Sequence, residues 1–126
     1  MECEIILTDQ APAPIGPYSQ AVLVGNTLYI SGQIPINPES GTLIEESIEA
    51  ETHQVMKNLE GVLMAAGMSF SNLVKTTIFI KDMNDFSRIN VVYGNYFTDI
   101  FPARETVEVS RLPKDVRVEI SGIAVR

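Results

Sequence analysis

The sequence predicts an α+β domain in which two helices pack on one face of a single sheet. Two observations carry this. Several short segments, LVKTTIFIKD and the two strands of FPARETVEVSRLPKDVRVEI among them, alternate with the period of two that strands show, while two stretches carry helical spacing. The elements also run β, β-hairpin, α, β, α, β, β, and two helices cover only one face of such a sheet. The 126 residues read as one domain, 1–126, with no linker or repeat.

Glu4–Thr8 is the first strand candidate. The loop DQAPAPIGPYSQ follows, and its prolines at 12, 14 and 17 fix φ and remove backbone donors, so it is an ordered, extended connection. AVLVGNTLYISGQIPI then predicts a hairpin turning at Gly25-Asn26, and NPESGTL is a further turn. From Glu46 to Ala66, Ile48, Thr52, Val55, Leu59, Val62, Leu63 and Ala66 recur at spacings of three and four, which predicts an amphipathic helix with Gly67 at its C′ position. In LVKTTIFIKD, Val74, Thr76, Ile78 and Ile80 alternate with Lys75, Thr77, Phe79 and Lys81, predicting a strand. Asn84 or Asp85 caps a second helix that runs to about Ile100. FPARETVEVSRLPKDVRVEI closes the chain as two strands joined by a proline turn, read as an antiparallel hairpin.

Those last strands put Arg104, Thr106, Glu108 and Ser110 in one alternation class and Arg117, Glu119 and Ser121 in another. The reading assigns both sets to the sheet face that no helix covers. An open face that mixes such groups with Val, Ile and Tyr predicts a subunit interface, and so an oligomer.

Charge narrows the function. Nine basic against sixteen acidic residues give a net charge of −7, and the basic residues are scattered. Nucleic acid and anionic membrane partners are therefore not expected. No apolar run reaches the length of a membrane span, and MECEIILTD lacks a signal-peptide core, so the sequence predicts a soluble, cytoplasmic protein. The lone Cys3 fits a reducing compartment. There is no P-loop, no dinucleotide fingerprint, no CxxC and no His-x-x-x-His, and the single histidine, His53, is placed on the outer side of a helix. Metal chemistry and a Ser-His-Asp triad are not expected.

Arg104 and Glu119 remain. A guanidinium holds a carboxylate through two parallel hydrogen bonds, which lysine cannot copy. A cross-strand ion pair between the two residues is the alternative reading that spacing leaves open.

APAPIGPYSQAV, ISGQIPINPESG, LVKTTIFIKDMNDFSRINVVYGNYF and FPARETVEVSRLPKDVRVEISGIAV, in this order, resemble the RidA/YjgF family of reactive-intermediate deaminases over essentially the whole chain. The resemblance implies a chorismate-mutase-like fold, a homotrimer, and active sites in the clefts between subunits. It implies hydrolysis of 2-enamine and 2-imine acids, such as 2-aminoacrylate and 2-aminocrotonate, to 2-oxo acids and ammonia, without a cofactor. Carried over residue by residue, Arg104 is the carboxylate clamp and Glu119 orients or activates the attacking water. Tyr18, Ser31 and Gly32 line the cleft, Gly32 offering its N–H, with Asn90 near the site and Thr106 on the Arg104 face.

The sequence departs from the family pattern at Glu105, where a serine is common, at Thr106, where a cysteine or similar small residue is common, and at Ser121, in place of a second glutamate. Glu105 is expected to point away from Arg104 because strand side chains alternate. A non-catalytic trimer that binds small carboxylates in the same cleft is the alternative function. Family members are also linked to translation inhibition, RNA cleavage and chaperone-like holding, of which the acidic charge makes RNA cleavage the weakest.

Overall fold

A computed structural model describes residues 2–126. It contains the elements in the predicted order: strands β1 (Cys3–Ile6), β2 (Ala21–Val24) and β3 (Thr27–Gln33), helix α1 (Ile48–Ala65), β4 (Leu73–Ile80), helix α2 (Phe86–Gly94), β5 (Ala103–Glu108) and β6 (Val118–Val125). They build one mixed six-stranded sheet in the order β1-β2-β3-β6-β4-β5. All neighbours are antiparallel except β4 and β5, a parallel pair whose crossover is α2. Both helices lie on one face: α1 packs across β6 and β3, and α2 lies beside α1.

α1 forms where its caps and apolar stripe agree. The Ser47 hydroxyl accepts the Ala50 N–H at 3.0 Å, and Glu49 and Glu51 place negative charge in the first turn, where the helix dipole favours it. Val55, Leu59, Val62 and Leu63 are fully buried against Leu28, Ile78, Ile80 and Ile120 of the sheet. The helix ends as expected, with Gly67 at φ +71° just beyond it.

Three expectations are corrected. The last two strands are not a hairpin, because β6 inserts between β3 and β4 and leaves β5 at the sheet edge on the far side of β4. The LPKD segment is therefore a crossover turn that carries the chain past β4, with Lys114 and Asp115 at φ 56° and 57°. Second, α2 stops at Gly94 and not near Ile100; Phe97 still packs on the core, but Ile100 is exposed. The segment before α2 is a short 3-10 turn capped by Asp82, whose carboxylate accepts the Asn84 N–H at 2.9 Å. Asp85 occupies the N-cap of α2 without a side-chain cap bond. Third, Val74 leaves the apolar alternation and is exposed, because the pairing of β4 with β6 shifts register between Leu73 and Lys75.

Among the described residues, no helix is long and apolar enough to cross a membrane.

Candidate functional site

The position of β4 between β5 and β6 decides where the candidate side chains point. Residues paired across a ladder project to the same face. Arg104 pairs with Thr76, which is fully buried on the helix side and hydrogen-bonded to the Tyr93 hydroxyl of α2 at 2.7 Å. Glu119 pairs with Phe79, three positions further along β4, an odd step that reverses the face. Arg104 thus lies on the helix side and Glu119 on the open side. Two strand spacings and three residue rises separate their Cα atoms by roughly 14 Å.

This corrects the assignment of both polar classes to the open face. Arg104, Thr106 and Glu108 turn toward α2, while Glu119 and Ser121 face outward. The proposed Arg104–Glu119 ion pair does not form. Arg117 also leaves that face: its guanidinium reaches the buried Glu51 of α1, with Nε 2.9 Å from Oε2 and Nη2 closer still.

The guanidinium of Arg104 is exposed, yet it is held from two sides. Nη1 donates to Asn90 Oδ1 at 2.6 Å, and the group lies 5.2 Å from the Tyr93 ring centroid and 5.5 Å from that of Phe86. Both rings and Asn90 come from α2, so helix and strand jointly aim the cation. Among the described residues no carboxylate pairs with Arg104. It borders a cleft of about 560 Å³ with Asn90, Tyr93, Gly94 and Phe101. Burial pushes the Tyr93 phenol above its ordinary pKa, so it stays neutral as the stacking platform. Thr106 follows on the same side, opposite Ile78, and its hydroxyl is buried without a hydrogen-bond partner among the described residues.

On the open side, Glu119 lies across Gly32. A Cβ at that position would come within 2.0 Å of Glu119 Oε2, so the absence of a side chain makes room for the carboxyl group. A register shift between Ile30 and Gln33 places Ser31 and Gly32 in a bulge beside β6. Glu119 is half-buried, and desolvation raises its pKa above the ordinary value. Tyr18 and Gly32 line one small pocket. The Ser31 hydroxyl donates to the Ser19 carbonyl at 2.6 Å.

Glu105 points away from Arg104 as alternation predicts: its Oε2 accepts the Thr77 hydroxyl at 2.6 Å and lies 3.0 Å from Lys75 Nζ. His53 is exposed on α1, with Nδ1 2.9 Å from the Tyr96 hydroxyl. The platform residues Phe86 and Tyr93 escaped the sequence reading as site residues, because an aromatic on an amphipathic helix reads as core.

The candidate residues thus form two groups in one chain: Arg104, Asn90 and Thr106 at the β5–α2 edge, and Glu119 with Gly32 on the opposite face, Ser31 lying next to Gly32 in the β3 bulge and Tyr18 sharing a pocket with Gly32. The chain is 48% identical over 122 residues to the human 2-iminobutanoate/2-iminopropanoate deaminase, covering 97% of this chain and 89% of the human one. The structure of a conserved Rid protein from Yersinia pestis matches with a TM-score of 0.97 and 52% identity, covering 99% of this chain and all of the other. TdcF of Escherichia coli, solved with bound serine, matches with a TM-score of 0.95 at 42% identity over 98% of both chains. The family model described as Endoribonuclease L-PSP matches residues 8–126. With that match across both groups, the chain belongs to the Endoribonuclease L-PSP family, the family of YjgF and RidA.

Proposed function

We propose that the protein hydrolyses reactive 2-imine and 2-enamine acids to 2-oxo acids and ammonia, in clefts between the subunits of a homotrimer and without a cofactor. The observation that carries this reading is the opposed projection of Arg104 and Glu119. The first is an aimed cation with no carboxylate of its own among the described residues. The second is a desolvated carboxyl group suited to moving protons. One chain cannot bring both to a substrate whose carboxylate and reacting carbon are bonded neighbours. Two copies can, when the open face of one meets the β5–α2 edge of the next. The open face carries Val22, Tyr29, Phe79, Val107 and Ile123 among its polar groups, which suits burial in such a contact.

In this site Arg104 holds the carboxylate through paired N–H groups, with Asn90 and the Tyr93 face keeping the guanidinium in one orientation. Water adds to C2, and the C=N electron pair moves to nitrogen. Glu119 takes one proton from the water and gives it to the nitrogen, leaving a C2 carbinolamine. It then takes the C2 hydroxyl proton and passes it to the same nitrogen as the C2–N bond breaks, so that the carbonyl forms and ammonia leaves with both protons. A carboxyl group whose pKa is raised toward neutrality is better matched to both transfers. The human relative's name and the serine bound to TdcF, a small 2-amino acid, both agree with such a substrate.

The second reading is a non-catalytic trimer that binds small carboxylates in the same cleft. It is favoured by Ser121, which leaves Glu119 without a second carboxylate two residues along the strand. One assay separates the two. 2-Aminoacrylate is generated in place by a serine dehydratase and trapped with semicarbazide. Catalytic amounts of the protein are expected to suppress the semicarbazone and speed pyruvate formation. An unchanged semicarbazone yield contradicts the enzyme reading.

A further inference from the structure

The loop before β2 carries three prolines and is tied down largely through side chains. The Gln20 side chain is 1% exposed. Its Nε2 donates toward the carbonyls of Thr8 at 3.0 Å, Ala11 at 3.3 Å and Pro12 at 2.8 Å, while its Oε1 accepts the Thr8 N–H at 2.7 Å. One amide thus closes the loop on itself where prolines leave few backbone donors. From β3, Ser31 sends its hydroxyl to the Ser19 carbonyl at 2.6 Å and its N–H to the Gln20 carbonyl at 3.0 Å. The stretch between these anchors carries Tyr18, half exposed and sharing a pocket with the Gly32 over which Glu119 lies.

We propose that Gln20 and Ser31 are positioning residues, a clasp that holds the Tyr18 loop in its substrate-ready place beside Gly32, the glycine over which Glu119 lies. The proposal rests on the deaminase reading. The Ser31 hydroxyl is committed to a backbone carbonyl, so its contribution reaches the substrate through Tyr18. A loop already ordered loses little entropy when substrate arrives. A loose one lowers the fraction of binding-competent protein, and apparent affinity falls by that fraction.

The test is a double-mutant cycle. Gln20→Leu is the direct variant, but it leaves buried carbonyls unpaired and can unfold the chain. Ser31→Ala removes one hydrogen bond from a half-buried position and serves as the second. KM and kcat for 2-iminobutanoate are measured for the wild type, Ser31→Ala, Tyr18→Ala and the double variant, with amide exchange followed at Thr8 and Ser31. Ser31→Ala is expected to raise KM about fivefold, the scale of one hydrogen bond, with kcat nearly unchanged. Exchange should quicken at both amides, Ser31→Thr should restore KM, and the KM effect should vanish in the Tyr18→Ala background. Equal losses in both backgrounds, or unaltered exchange, overturn the clasp. A wild-type protein with no deaminase activity overturns the functional reading itself, whereas an active wild type with additive losses sinks the clasp alone.

Discussion

The carboxyl group of Glu119 occupies the space that a side chain at Gly32 would need, 2.0 Å from an added Cβ. The glycine is there for the glutamate. Gly32→Ala is expected to rotate Glu119 out of place and lower kcat at least tenfold, because a misplaced proton-transfer group loses most of its contribution. The melting temperature should change little, since a half-buried side chain can swing outward without moving the backbone. Circular dichroism melts beside the trapped-intermediate assay read both quantities, and full activity in Gly32→Ala would contradict this geometry.

Glu119→Gln keeps the shape of the side chain and removes its proton transfer. Turnover is expected to fall by about 10²–10⁴-fold, with KM much less affected. Stability should move in a defined direction with pH. Desolvation raises the folded-state pKa of Glu119 above its ordinary 4.5, so the folded state binds this proton more tightly than the unfolded chain. The stabilisation is fully present below about pH 4.5 and is lost as pH rises through the folded value. Glu119→Gln should therefore gain stability relative to wild type as pH rises through that window, a trend that denaturant titrations at several pH values would show. The opposite trend would mean that a cation, for which the neighbouring subunit's guanidinium in the shared cleft is the candidate, outweighs desolvation and holds Glu119 charged.

Arg104→Lys is expected to abolish most activity and leave the fold intact. Lysine keeps the charge but loses the fork that meets a carboxylate, the bond to Asn90 and the flat stack on Tyr93 and Phe86. An exposed stack of this kind contributes about 0.5–1 kcal/mol, so the melting temperature should drop by only a few degrees. Near-normal rates would remove the carboxylate clamp.

The crossover turn makes a prediction independent of catalysis. Asp115 sits at φ 57°, a left-handed conformation that aspartate tolerates and a β-branched residue does not. Asp115→Val should cost about 1–2 kcal/mol in urea unfolding, while Asp115→Gly should stay within about 0.5 kcal/mol of wild type. Equal costs for the two would show that the Arg111 ion pair, and not backbone strain, governs this position.

Local periodicity made the order of the elements legible, because each strand and helix shows its own spacing and caps, from Ser47 to Gly67. Sheet order was not legible. Nothing local to ARETVE or VEISGIAV tells that β6 pairs with β4 and β3, since pairing is settled by which apolar faces meet across the whole chain. Sheet order decides direction: a hairpin would put Arg104 and Glu119 on one face, whereas β4 lying between β6 and β5 puts them on two. Family motifs named the candidate residues but carried no information on direction. The positions of Phe86, Tyr93 and Gln20 depend on tertiary contacts and were hidden for the same reason.

The account stands on two chains sharing one site, and subunit mixing tests it most directly. Arg104→Lys and Glu119→Gln proteins, each inactive alone, are combined in equal amounts under conditions where native mass spectrometry confirms mixed trimers. In a cyclic trimer with random exchange, about a quarter of the clefts then join an intact Arg104 from one subunit to an intact Glu119 from its neighbour. The account predicts recovery of about a quarter of wild-type activity. Mixed trimers that stay inactive would contradict it.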